Sequence, residues 1–130
     1  MFGHASQQVE IRAAAALAAT AYAYADGPTG ATGRVAQMAT TQIGFTIVMA
    51  SRTAGSVTAS LQGKLTASGS WFDLGTQNQA TASANGQASI APTQGGPLPP
   101  YLRVKLAPAG GFDGTIQVLE SWSPPSAPIL

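Results

Sequence analysis

The sequence contains no cysteine, so disulfides and thiolate chemistry are excluded and the redox compartment leaves no trace in it. Histidine occurs once, as His4. A Ser-His-Asp arrangement, a Cys-His pair or a histidine-rich metal site therefore has almost no material. Charge is scarce as well: 8% of the residues are Asp, Glu, Lys or Arg, and the formal net charge is +1. A small soluble domain usually carries charge on about a quarter to a third of its surface. Here the surface is expected to be Thr, Ser, Gln, Gly and Ala, or covered by partners. The six cations, Arg12, Arg34, Arg52, Lys64, Arg103 and Lys105, form no basic stripe in sequence, which argues against nucleic-acid binding. No apolar run approaches the ~20 residues of a membrane-spanning helix. The alanine-rich run from Ala13 ends in a small-x-small pattern, Ala23-Tyr24-Ala25. Glu10 beside Arg12 denies it a basic leading region, so neither a signal peptide nor a membrane anchor is expected.

Large apolar side chains are also in short supply. Leu, Ile, Val and Phe together number 25 of the 130 residues, as many as alanine alone. The core is expected to be thin in volume, and the length supports one domain.

What the sequence does have is alternation of period two, the mark of strands with one buried face. Ile43, Phe45, Ile47 and Met49 share a face, Arg52 to Gly55 read as a turn, and Val57, Ala59, Leu61 and Leu65 face the same core. This predicts an antiparallel hairpin. Thr66 to Ser70 is a small-residue turn before Trp71 to Leu74, Thr76 to Asn85 is a polar connection, and Gln87 to Ala91 a short strand around Ile90. After the loop Gly95 to Pro100, Leu102, Val104 and Leu106 point inward while Tyr101, Arg103 and Lys105 point outward. Asp113-Gly114 is a turn signal before a strand with Ile116 and Val118 inward. Near the start, Val9 and Ile11 alternate with charged neighbours, and Ala21 to Ala25 alternate with tyrosines. These favour an extended arm or strand over a helix. The expected fold is all-β, a single antiparallel β-sandwich or jelly roll. Its parts are an arm over 1–25, the sandwich over 26–120 and a Pro-rich arm over 121–130, whose ends are expected to be held by neighbouring copies.

The acids Glu10, Asp26, Asp73, Asp113 and Glu120 are isolated in sequence. Asp73 and Asp113 could meet as a carboxylate pair or a calcium site, but Asp beside Gly or Trp in a turn reads first as a turn former. Gly63-Lys64 is followed by Leu65 inside a strand pattern, not by the hydroxyl residue of a phosphate loop. No enzyme activity and no cofactor are expected. Trp71, Phe72, Tyr101 and Trp122 read either as plugs of the fold or as exposed rings able to stack on sugars. Arg103 and Lys105 are either solvated or paired with acids on a neighbour.

Two resemblances meet in one block. Ser68-Gly69-Ser70-Trp71 followed by Pro100-Tyr101-Leu102-Arg103-Val104 resembles the local pattern of galactose-binding-like jelly rolls of the discoidin type, in which DG-x-x-W precedes RY-x-R-[VI]. The acidic residue before the glycine is missing here. The same block, with Trp71-Phe72-Asp73-Leu74-Gly75 at its centre, Leu61-Gln62-Gly63 before it and Gly111-Phe112-Asp113-Gly114-Thr115 after it, is similar to small structural proteins of tailed bacteriophages that decorate heads or form accessory virion parts. The similarity runs from Ile43 to Val118. It implies a non-enzymatic virion component made in the host cytoplasm, a capsid decoration or cement protein. Its implied partners are the major capsid (shell) protein and its own copies in a homo-oligomer, a trimer being one such form, with no nucleic acid and no membrane. The candidate interface residues are Trp71, Phe72, Tyr101, Arg103, Lys105, Trp122, Pro124, Pro125, Ile129 and Leu130. The alternative is a carbohydrate-binding or receptor-facing module of a phage tail, neck or surface structure, with glycan stacked on Trp71 and Tyr101.

Overall fold

Alternating segments become strands throughout the described residues. A computed structural model describes residues 7–25, 42–91 and 99–123. Its elements are β1 (Gln7–Ala16), β2 (Ala21–Tyr24), β3 (Gln42–Lys64), β4 (Phe72–Asp73), a 3-10 turn (Thr76–Asn78), β5 (Gln79–Ala82), β6 (Gly86–Ile90) and β7 (Tyr101–Ser123). The protein is all-β, and every described strand belongs to one antiparallel sheet.

The two 23-residue strands β3 and β7 form the spine, paired from Gln42↔Ser123 to Lys64↔Tyr101. β1 and then β2 run along the far side of β7, against Trp122 to Thr115 and then Leu106 to Arg103. On the far side of β3, β4, β5 and β6 return in sequence, pairing with Gln62–Gly63, Val57–Ser60 and Phe45–Met49. The sheet is thus four lanes wide, with the first lane lying beside the last strand of the chain. Two register shifts in β1, on either side of Arg12, are filled by that residue. Its Nε donates to Ile116 O at 3.2 Å and its Nη2 to Ala16 O at 3.0 Å, so the guanidinium takes carbonyls at the irregular ladder.

Midway, bulges interrupt the ladder of the spine on both strands, and a bulge bends the strand that carries it. Ala50↔Thr115 and Ser56↔Ala109 lie in one register, and between them 51–55 on β3 face 110–114 on β7, where the ladder is irregular. Equal excursions on both strands keep the parity of inward positions unchanged across the bend. The left-handed backbone needed there is supplied by Gly55 (φ 78), Gly110 (φ 64), Gly111 (φ 65) and one non-glycine, Ser51 (φ 56). Thr53 Oγ1 donates to Asp113 Oδ2 at 2.6 Å, Arg52 Nε to Gly55 O at 2.6 Å and Arg52 N to Asn85 Oδ1 at 2.9 Å. The hairpin expected between Met49 and Val57 is therefore corrected: both segments are one strand. The turn signals at Arg52–Gly55 and Asp113-Gly114 fall beside each other, so the strands bend together and stay paired with each other.

The halves on either side of the bend bury one common core. Ile43, Phe45, Ile47, Met49, Ile116 and Val118 come from one half, and Val57, Ala59, Leu61, Leu102, Val104 and Leu106 from the other. Leu17, Ala23 and Ala25 belong to the same cluster. Residues 7–25, expected as an arm, are consequently a lane of the sheet: β7 offers its N–H and C=O groups to them, and Ala23 of β2 is buried in the core with Ala21 packed against it. Leu65, expected inward, is 69% exposed because β3 ends at Lys64 and the alternation runs on past the ladder.

Candidate functional site

Alternation that buries odd residues of β3 and even residues of β7 sends the others to the outer face. In the half built from β2, β7, β3 and β4 those outward residues are Tyr22 and Tyr24, Tyr101, Arg103 and Lys105, Gln62 and Lys64, and Asp73, with Trp71 just ahead of β4. All three tyrosines of the chain, one of its two tryptophans and three of its six cations share this face.

Arg103 is the centre. Its Cζ lies 3.8 Å from the Tyr22 ring centroid, 4.4 Å from that of Trp71 and 5.8 Å from that of Tyr24. Its Nε donates to Gln62 Oε1 at 2.8 Å, and its Nη1 lies 3.4 Å from Tyr24 Oη. Gln62, buried on this otherwise open face, passes the contact on: its Nε2 donates to Asp73 Oδ1 at 2.8 Å. Beside it, Lys64 Nζ sits 4.8 Å from the Trp71 ring and 5.4 Å from the Tyr101 ring and donates to Ala67 O at 2.8 Å. Tyr24 and Trp71 meet at 5.9 Å with a 58° tilt. Contacts of cations with ring faces are worth roughly 0.5–2 kcal/mol each, more as water is excluded. The face is thus pre-ordered by its own residues, while Tyr22 and Tyr24 remain 39% and 36% exposed.

Of the interface residues expected from sequence, Trp71, Tyr101 and Arg103 come together here, and Lys105 stands opposite Tyr22 on the same face. Phe72 does not join them: it pairs with Gly63, one position out of phase with Asp73, and is 42% exposed away from the cluster. The Trp122 backbone pairs with Gln7 and Ile43, while its side chain and Pro124, Pro125, Ile129 and Leu130 lie outside the described residues. Sequence reading missed Tyr22, Tyr24, Gln62 and Lys64. The tyrosine alternation in Ala21–Ala25 was the available signal, since both rings had to leave the sheet on one side.

Asp73 and Asp113 do not form a pair. Asp73 is held by Gln62 on this face, and Asp113 accepts from Thr53 at the bend. Among the described residues no group of three or more His, Cys, Asp or Glu is placed to hold a metal ion, and no helix is long and apolar enough to cross a membrane. No family model, no curated protein and no solved structure matches this chain.

Proposed function

We propose that this chain is a non-enzymatic structural protein that acts by binding other protein surfaces, and that its role is that of a virion decoration or cement protein. The observation that carries this reading is the outer face around Arg103. Trp, Tyr and Arg dominate binding energy at protein interfaces, and this chain, poor in all large side chains, concentrates its tyrosines there. The virion role is supported by the resemblance of Ile43 to Val118 to phage accessory proteins and by a surface with few charges. Its mechanism is mass action: a copy that buries surface on two or more shell subunits favours the assembled lattice over the dissociated one. Density-purified particles from the host that carries this sequence should contain the chain at a fixed molar ratio to the shell protein, measured by quantitative mass spectrometry. A chain with Tyr22→Ala and Trp71→Ala should be retained at less than about a tenth of that ratio, as loss of an interface hot spot requires. Particles that lack the chain overturn the reading.

A carbohydrate-binding role is the second reading, favoured by the exposure of Tyr22 and Tyr24 beside Trp71. Against it, Arg103 and Lys64 already lie over ring faces that a sugar would use. Glycan-array binding that disappears in Trp71→Ala would favour this second role.

A further inference from the structure

The Arg103 guanidinium lies against the Tyr22 ring, its Cζ 3.8 Å from the ring centroid. Of the five donors of Arg103, Nε is taken by Gln62 and Nη1 is near Tyr24 Oη. No acceptor among the described residues is in place for Nη2. The single carboxylate that the described residues place on the face, Asp73, is engaged by Gln62, so the amide stands between acid and guanidinium. Among the described residues, three cations, Lys64, Arg103 and Lys105, therefore face outward against one acid that is already engaged. The geometry points to a carboxylate as the missing partner, because a carboxylate takes two guanidinium N–H groups side by side.

We infer that this face docks an acidic protein segment: an Asp or Glu carboxylate on the Nη edge of Arg103, an adjacent apolar side chain on the exposed rings of Tyr22 and Tyr24, and further acids toward Lys64 and Lys105. The inference deepens the assembly reading above and rests on it for the choice of a protein as ligand. Nucleic acid fits less well, since it needs a track of cations along the phosphates, and the described residues place three cations on this face.

The test uses the full chain and a random dodecapeptide library. Peptides selected on the wild-type protein should be enriched in Asp or Glu next to an apolar residue, and the most enriched peptide is then titrated. Arg103→Ala should weaken its binding at least tenfold. Arg103→Lys should weaken it by a smaller factor, because an ammonium keeps the charge but loses the paired donors. Gln62→Glu, combined with Asp73→Asn so that positions 62 and 73 stay hydrogen-bonded with the donor now at 73, places a carboxylate on the guanidinium from within and should also weaken binding at least tenfold while the thermal transition stays cooperative. Lys105→Ala, which leaves the ring contacts of Arg103 intact, should lower affinity and reduce its salt dependence. Selected peptides without acidic enrichment, unchanged affinity in Arg103→Ala and Gln62→Glu/Asp73→Asn, or stronger competition by an oligogalacturonate or by oligothymidylate than by the peptide would each overturn the inference. The two readings fail separately. Normal incorporation of Arg103→Ala into particles removes the acidic docking site and leaves the assembly role, whereas peptide binding by a chain absent from particles does the reverse.

Discussion

At the scale of single residues, the chain uses its few large side chains where alternation and strand ends together place them. Leu61 and Leu65 have the same parity and type, yet Leu61 is 1% exposed and Leu65 is 69% exposed. Leu61→Ala should destabilise the protein by about 2–5 kcal/mol, and Leu65→Ala should stay within about 0.5 kcal/mol, in urea unfolding followed by circular dichroism. Gln62 gives a polar counterpart. It is nearly buried and serves two groups, accepting from Arg103 and donating to Asp73. Gln62→Ala should cost about 1–3 kcal/mol, because Arg103 Nε loses its acceptor in a half-covered position. Asp73→Asn keeps an acceptor oxygen for Gln62 and should be close to neutral in the same assay. A cost at Asp73 as large as at Gln62 would mean that its charge, rather than its hydrogen bond, holds the face.

At the scale of elements, the bend in β3 and β7 decides the fold. Two strands can turn together only if both adopt unusual backbone at one level, and Gly55, Gly110 and Gly111 do so. Their neighbourhoods differ. A Cβ on Gly55 would stand 2.5 Å from Ala109 O and from Phe112 backbone atoms, while one on Gly111 meets nothing within 4 Å. Gly111→Ala should therefore cost only the left-handed penalty of about 1–2 kcal/mol. Gly55→Ala adds a backbone clash and should cost distinctly more, by roughly a further 1–3 kcal/mol, read as the difference in urea midpoint. This element also marks what could be read from the sequence. Inward positions such as Ile43 to Met49, Leu102 to Leu106 and Ile116 with Val118 were legible because period two is a local property. The continuity of the strands was not, since Arg52–Gly55 and Asp113-Gly114 each look like a reversal until they are known to lie side by side. The candidate site divides in the same way. Tyr101, Arg103 and Lys105 lie on one strand face and were visible together, but Tyr24 is 79 residues from Arg103 and only the lane order of the sheet unites them.

At the scale of the whole molecule, the first lane pairs with the last strand: the Gln117 amide donates to the Glu10 carboxylate across 107 residues of sequence. Pairing of such separation is slow to form, and it makes residues 7–25 structural in two ways. They cover the far side of β7 over Leu106–Arg103 and Trp122–Thr115, and they add Leu17, Ala23 and Ala25 to the core. Tyr22 and Tyr24 belong to the same lane, so the face around Arg103 cannot exist without it. Deleting residues 1–25 would leave β7 with an open row of backbone donors and acceptors, the arrangement that recruits a strand from elsewhere. The shortened chain should lose its cooperative thermal transition and associate with itself, as seen by circular dichroism and sedimentation velocity. A synthetic peptide spanning residues 7–25, added in excess, should fill the vacant lane, restore the transition and return the Tyr-to-Arg face. The same peptide with Leu17 and Ala23 replaced by Asp should not, because the lane would then carry charge into the core. A shortened chain with the full-length melting temperature would show instead that the sheet is stable without its first lane.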